Sequence, residues 1–325
     1  MTDVRHHAVQ VPATTANLGP GFDAFGAAVG LHLYARSLPR DAQPERVATT
    51  GAGAGDDGDL PTGDENLLWR SLVAFCEHVG VEVPDVAVRV TTSIPLERGL
   101  GSSSSAIVAG LGLGRALTGA VVGDVELCEL ADRLEGHPDN VVPAILGGLT
   151  ACTTDGDGRL VVRRVQPAPR LRPVVLVPQT RQSTSEARGV LPETLTRAEV
   201  AVETGRGAHV VGALAGLWPA EASATADLLH EPARLAVMEP TGAAVTALRA
   251  GGVHAWLSGA GPSVAAAVAD LEADHHALLD AVATEHGMTV HRLDWDLRGL
   301  LACPDDGCGL AGVGGCAQCP REGVR

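Results

Sequence analysis

Apolar and polar positions along this chain recur with two periods, and the alternation between them predicts mixed strands and helices. His7–Val11 alternates and predicts a strand, and Phe25–Tyr34 predicts a second. Between them runs the turn-rich stretch Pro12-Ala-Thr-Thr-Ala-Asn-Leu-Gly-Pro-Gly-Phe-Asp23. Residues 36–46 are polar, and 51–64 are rich in Gly and Asp, which predicts a surface loop. Asn66–Val79 sets Leu67, Leu68, Leu72, Phe75 and Val79 at helical spacing, whereas Val86–Thr92 alternates as a strand. Helices are expected from about Ser104 to Leu117 and from about Val125 to Leu134, with a turn at Glu135-Gly-His-Pro-Asp-Asn140. Strand-like runs at Gly148–Thr153 and Leu160–Val165 complete the first half.

Pro167–Pro173 (Pro-Ala-Pro-Arg-Leu-Arg-Pro) is the best candidate linker, and the apolar run Val174–Val177 opens a second region. Helices are expected there near 197–216, 223–229 and 241–250, and strands near 254–257, 264–268 and 289–293. This division gives domains at 1–166 and 167–300 and a Cys/Gly-rich tail at 301–325. Strands and helices mixed in both halves place the chain in the α+β or α/β class. No internal repeat is evident.

Composition narrows the function. Over 325 residues, 45% are hydrophobic and 19% charged, which suits a well-buried core in two domains. Aromatics are only 2%, so Val, Leu, Ala and Ile must build that core. The chain has no lysine, and all 24 basic residues are arginine. A net charge of −15 argues against nucleic acid or an anionic membrane as partner, because both need clustered positive charge. No uncharged apolar run reaches the length of a membrane span. The start, Met1-Thr-Asp-Val-Arg-His-His, lacks the basic and apolar regions of a secretory signal. A cytoplasmic location with reduced cysteines is the expectation.

Five segments carry candidate chemistry. Pro95, Leu96, Glu97, Arg98, Gly99, Leu100, Gly101, Ser102, Ser103, Ser104 and Ser105 form a glycine–serine turn that runs into an Ala-rich helical stretch. Such a turn collects backbone N–H groups and the positive end of the helix dipole, which suits a phosphate, although a plain helix cap reads the same way. The stretch holds no lysine, so it is not the Gly-x-x-x-x-Gly-Lys-Ser/Thr phosphate loop. Asn17 and Asp23, with Gly19 and Gly21, could hold an amino or hydroxyl group or form only an Asx-type turn. Glu135, His137, Asp139 and Asn140 fall within six residues, a density that suits a metal or transition-state contacts as well as a solvated loop. Ser183-Thr-Ser-Glu-Ala-Arg188 reads as a capping box that projects Arg188, whose planar fork fits a carboxylate. Leu257-Ser-Gly-Ala-Gly-Pro-Ser263 is a glycine turn that lets backbone approach a ligand.

The order of these motifs resembles the GHMP kinases, and Pro12–Asp23, Glu135–Asn140 and His230-Glu-Pro-Ala-Arg234 resemble the homoserine kinase branch in particular. The resemblance spans roughly residues 8–298. It implies an α+β two-domain GHMP kinase fold, with an N-terminal ribosomal-protein-S5-like ATP-binding domain and a C-terminal ferredoxin-like α/β sandwich. It implies transfer of the γ-phosphoryl group of ATP to the side-chain hydroxyl of L-homoserine, a step toward threonine. Pro95–Ser105 would wrap the phosphates, Asn66 would contribute to the adenine pocket, and Ser103 (or Ser102) with Glu135 would hold Mg²⁺. Asn17, Asp23, His137, Thr184, Arg188, Arg234 and Gly261 match substrate-pocket positions. Asn140, His137 and Arg188 are the catalytic candidates, with Asp139, Asn140 or neither acting as base. A homodimer is left open.

Two departures stand out. The helix around 199–211 reads Glu-Val-Ala-Val-Glu-Thr-Gly-Arg-Gly-Ala-His, where relatives tend to have a more apolar stretch with asparagine near Glu203. The tail holds Cys303, Cys308, Cys316 and Cys319 with spacing C-x₄-C-x₇-C-x₂-C, which reads either as a zinc (Zn²⁺) set or as a glycine-rich tail with incidental cysteines.

Overall fold

The structure is a computed structural model that describes residues 7–52 and 60–303. Its first unit opens with β1 (Ala8–Ala16) and the long β2 (Phe25–Pro39), followed by β3 (Val47–Gly51), helix α1 (Leu67–Val79) and β4 (Val86–Thr92). Helices α2 (Ser102–Thr118), α3 (Asp124–Glu135) and α4 (Pro138–Leu146) come next, then β5 (Leu149–Thr154) and β6 (Leu160–Val165). The second unit holds β7 (Leu171–Val177), α5 (Thr184–Gly189), α6 (Arg197–Leu214), α7 (Glu231–Val237), α8 (Glu239–Ala250), β8 (His254–Leu257), β9 (Val264–Ala269), α9 (Ala273–Glu285) and β10 (Thr289–Arg292). The last described element is β11 (Leu301–Cys303).

Two sheets result. The first runs β11-β1-β2-β4-β3, and it branches because β2 is long enough to serve two neighbours. Phe25–Ala27 pair with β5, while Leu33–Pro39 pair with β4. The β3–β4 pairing is parallel and is bridged by α1, a connection that antiparallel hairpins do not need. The second sheet, β10-β7-β9-β8, is antiparallel throughout.

Strand β7 shows how the units share a core. Val174 and Leu176 pack with Leu248, Leu279 and Val282 beneath α8 and α9. Val175 and Val177 face the other way, into the large cluster built around Val9, Val11, Phe75 and Leu111. Both faces are covered, which is why the strand reads as a continuous apolar run rather than an alternating one. Pro167–Pro173 is therefore no free linker, since its last residues already belong to β7.

Several expectations are corrected. Glu135–Asn140 is not only a turn: Pro138 sits at the start of a helix, where its missing N–H and fixed φ cost nothing. The helix expected at 223–229 is a single 3₁₀ turn at Ala222–Ala224, and α7 starts only at Glu231. Strand β3 falls between the polar residues 36–46 and the loop expected from 51, where no element is predicted, and α9 is likewise not predicted.

The boundary at 300 also shifts. Residues 294–300 return to the first unit, with Gly30 N–H donating to Asp294 O, Trp295 bridging Val29, and Leu300 buried in the large core. Leu301–Cys303 then pairs with Ala8–Gln10, so the expected tail begins as a strand. Cys76, Cys128 and Cys152 are free, as the expectation of reduced cysteines has it, whereas Cys303 is buried and disulfide-bonded. Cys308, Cys316 and Cys319 lie outside the described residues.

Candidate active site

A cavity of about 390 Å³ opens between the two sheets and collects the motifs. One end is apolar, walled by Leu33, Val47, Leu60, Leu67, Val90 and Leu96. Its middle is the glycine–serine loop and the start of α2, and its far end is ringed by Asp23, His137, Asp139, Arg188 and Arg234. A flat apolar body, a polyanion and a small charged molecule fit these three zones in that order.

The loop is built by two glycines with left-handed backbone, Gly99 (φ 69°) and Gly101 (φ 67°), and Gly101 is the N-cap of α2. A Cβ at Gly101 would overlap Thr14 Oγ1, and one at Gly99 would overlap the Ser258 carbonyl. Only glycine lets this loop lie so close to β1 and to the 258–261 turn. No side chain caps α2, so its first N–H groups stay directed at the cavity.

Individual residues of the loop differ in what they do. Ser103 Oγ and Ser104 Oγ both donate to Glu135 Oε1, at 2.9 and 2.7 Å. Ser105 Oγ instead donates to the buried Pro12 carbonyl at 3.0 Å. Arg98 spreads its guanidinium over the carbonyls of Pro178 (3.0 Å), Leu96 (3.2 Å) and Gln179 (2.6 Å), tying the loop to the segment that follows β7. Pro95, Leu100 and Ser105 are not among the cavity lining, whereas Leu96, Glu97, Arg98, Gly99, Gly101, Ser102, Ser103 and Ser104 are. Asn66 lines the apolar end, yet its side chain is committed: Oδ1 caps α1 by accepting from Leu68 N–H and Trp69 N–H, and Nδ2 donates to Pro61 O at 2.6 Å.

At the polar end, His137 Nδ1 lies 2.6 Å from Asp139 Oδ1. Burial opposes charge on this imidazole, but the hydrogen bond and charge of Asp139, then Glu135 and Asp23, outweigh it and hold the His137 pKa above its ordinary value. Asn140 accepts from Thr14 Oγ1 (2.7 Å) and donates to Asp139 Oδ1 (3.2 Å), so both ends of its amide are engaged within the protein. Asp139 Oδ2 makes no hydrogen bond among the described residues.

The expected charge pair meets itself. Arg188 donates to Asp23 Oδ1 and Oδ2 at 2.7 and 3.0 Å, a bidentate fork at one third exposure of both side chains. This hydrogen bond, more than the opposing desolvation, raises the Arg188 pKa. Arg234 is buried, and burial followed by the charge of Arg188 lowers its pKa. Its Nε donates to Ala187 O (3.0 Å) and its Nη1 to Gly259 O (3.2 Å), and both guanidinium groups lie 5.4 Å from the Phe22 ring centroid. Asn17 pins the first turn to the 257–263 turn by donating to Gly259 O at 2.8 Å, and its Oδ1 accepts from Asp23 N–H. Gly261 lines the cavity, and the Thr184 side chain lies outside the described residues.

Sequence reasoning missed Thr14, Phe22, His230 and Gln182. Thr14 and Phe22 sit inside the first motif and His230 opens the His-Glu-Pro-Ala-Arg motif, so each was in view without a role. Gln182, which lines the cavity between the loop and α5, carried no signal of its own.

Residues 66–148 match the model of the GHMP kinase N-terminal domain. A homoserine kinase of Streptomyces avermitilis is 39% identical over 304 residues, which span 91% of this chain and 95% of that protein. One from Synechococcus is 40% identical over 263 residues, spanning 79% of this chain and 84% of that protein. Among solved structures, homoserine kinase from Cytophaga hutchinsonii superposes with a TM-score of 0.76 at 23% identity, covering 93% of this chain and 99% of that one. Mevalonate kinase from L. major, in complex with R-mevalonate, gives 0.63 at 14% identity, covering 89% and 95%, and shares the fold alone. The chain belongs to the homoserine kinases of the GHMP kinase superfamily.

Proposed function

We propose that this chain phosphorylates the side-chain hydroxyl of L-homoserine at the expense of ATP, giving O-phospho-L-homoserine. The observation that carries the reading is the single cavity that runs from an apolar slot, past the α2 N-terminus, to Asp23, Arg188 and Arg234. The apolar end takes the adenine, and the glycine–serine loop takes the phosphates on backbone N–H groups and hydroxyls. The donors at Ser103, Ser104 and Glu135 are all oxygen, the set that magnesium prefers together with substrate phosphates. Magnesium there would neutralise charge on the phosphates, with Ser103 and Glu135 as its protein ligands.

Transfer of a phosphoryl group through a loose transition state asks the protein for in-line positioning and charge stabilisation. Asp23 receives the α-ammonium of homoserine, and Arg188 and Arg234 receive the α-carboxylate, so the amino acid enters between partners that bind each other in its absence. The free Oδ2 of Asp139 orients the hydroxyl, while Asn140 and His137 fix the Asp139 carboxylate through Oδ1. The raised His137 pKa favours the protonated imidazole beside Glu135, which adds positive charge near the transferring group. No strong general base is required.

Other GHMP kinases act on alcohols without an ammonium group, and the zwitterion end of the cavity separates the readings. With Mg-ATP, L-homoserine should stimulate ADP release, whereas 4-hydroxybutyrate, which lacks the ammonium, and 3-aminopropan-1-ol, which lacks the carboxylate, should each lose about a hundredfold or more in kcat/KM, the scale of an unpaired charged hydrogen bond. Comparable rates with the three alcohols would refute recognition of both charges.

A further inference from the structure

Helix α6 and the turn before α7 bring two carboxyl groups together behind the polar end of the cavity, Asp227 buried and Glu203 half-buried. Glu203 Oε2 accepts from Leu228 N–H at 3.1 Å. Asp227 Oδ2 accepts from His230 N–H (2.5 Å) and Glu231 N–H (2.6 Å), tying down the free donors where α7 begins. The remaining oxygens, Glu203 Oε1 and Asp227 Oδ1, are both buried with no donor. The two side chains are within hydrogen-bond reach of one another. A carboxylate only accepts, so two adjacent anions would leave both oxygens unsatisfied, and one proton satisfies both.

We propose that Glu203 and Asp227 share a single proton, and that this carboxyl–carboxylate link is a positioning device for Arg234. The path from the link to the guanidinium is short. Asp227 holds the backbone of His230, whose Nε2–H donates to the Gly19 carbonyl at 3.0 Å. That bond fixes the tautomer, so Nδ1 is the acceptor for Arg234 Nη1 at 3.2 Å. Arg234 then points into the cavity from α7. The role in substrate binding rests on the homoserine reading above.

The groups facing the pair are few. Arg206, also on α6, donates to Ala226 O at 2.8 Å. Glu231 is satisfied by Arg249 at 2.7 Å and by Leu257 N–H at 2.9 Å. His230 lies 3.8 Å from Asp227, and Arg234 is beyond it. Burial, then the hydrogen bond and charge of Asp227, push the Glu203 pKa up to about 8, against the opposing Leu228 N–H and Arg206. The link is therefore closed at neutral pH and opens in mild base.

The test compares wild type with Glu203→Gln, whose amide donates to Asp227 without a proton to lose. Between about pH 7 and about pH 9, the wild-type homoserine KM should rise about fivefold more than that of Glu203→Gln, the scale of one lost hydrogen bond, while the ATP KM is unmoved. The ammonium of homoserine titrates for both enzymes alike, so the difference is the readout. Glu203→Ala should raise the homoserine KM at every pH. If Glu203→Gln does not fold, Asp227→Asn restores the donor from the other side and must flatten the profile in the same way.

Unfolding separates this proposal from the substrate reading. A carboxyl whose folded pKa is raised holds its proton more tightly in the native state, so wild-type stability should fall as pH rises from the ordinary 4.5 to about 8. Glu203→Gln should lack that component. A chain inactive on homoserine that keeps this difference supports proton sharing while ending the substrate reading. Equal pH profiles of KM, or equal pH slopes of unfolding, would overturn the shared proton.

Discussion

Asp139 controls the charge on His137, and the two are best judged as a pair. The folded pKa of His137 lies above the ordinary 6.5 because of Asp139, despite burial. The native state thus binds this proton more tightly than the unfolded chain. Its stabilisation is full below the ordinary value and is lost as pH rises through the raised one. Asp139→Asn removes the carboxylate's hydrogen bond and charge and leaves Glu135 and Asp23 alone against desolvation, so the His137 pKa should fall from its wild-type value, as read from its ring protons by NMR titration. An unchanged titration would show that Asp139 does not hold the proton. Residues of this kind were named in the sequence without their partners. Asp23 and Arg188 were read as separate grips for a substrate, whereas the structure pairs them across 165 positions. Spacing along a chain cannot reveal a partner that distant.

At the scale of elements, the chain was legible wherever one period ruled and obscure where tertiary contacts decided. Val86–Thr92 forms a strand over the span its alternation predicts, and α1 follows Asn66, its N-cap, as the helical spacing requires. Helix α4 was hidden by the turn-like Gly-His-Pro-Asp-Asn, although Pro138 at its start is itself a helix signal. Helix α7 starts later than the helix expected at 223–229, because Asp227 satisfies N–H groups that an earlier helix would have bonded. The glycine–serine loop was the clearest motif, but sequence alone could not separate a cap from a phosphate cradle. The uncapped α2 start and the left-handed Gly101 support the cradle. Gly101→Ala adds a left-handed penalty of about 1–2 kcal/mol to an overlap with Thr14 Oγ1. It should cut kcat/KM for ATP by at least about tenfold while leaving binding of homoserine alone intact by calorimetry. Wild-type kinetics in that variant would show that the loop does not cradle the phosphates.

The whole molecule places the cavity at a seam that neither unit could form alone. Strand β7 buries one face beneath its own helices and the other in the core of the first unit, and Trp256 Nε1 donates to Thr15 Oγ1 across the seam at 2.9 Å. Ser258 Oγ closes the same seam on Gly99 O at 2.7 Å, so the glycine–serine loop and the 257–263 turn share one anchor. This joint was invisible in the sequence, where Pro167–Pro173 suggested separation, because continuous apolar strands do not say which layer covers each face. The return of residues 294–303 to β1 and β2 was equally hidden in a short, unperiodic stretch. The central claim is that this seam joins Mg-ATP to a small zwitterionic alcohol. It is tested most directly by phosphorus NMR of the products formed with Mg-ATP and, in parallel, L-homoserine, mevalonate, shikimate and galactose. The account predicts a new phosphomonoester resonance with equimolar ADP for L-homoserine alone. A phosphomonoester formed from another of these alcohols and none from L-homoserine would contradict it.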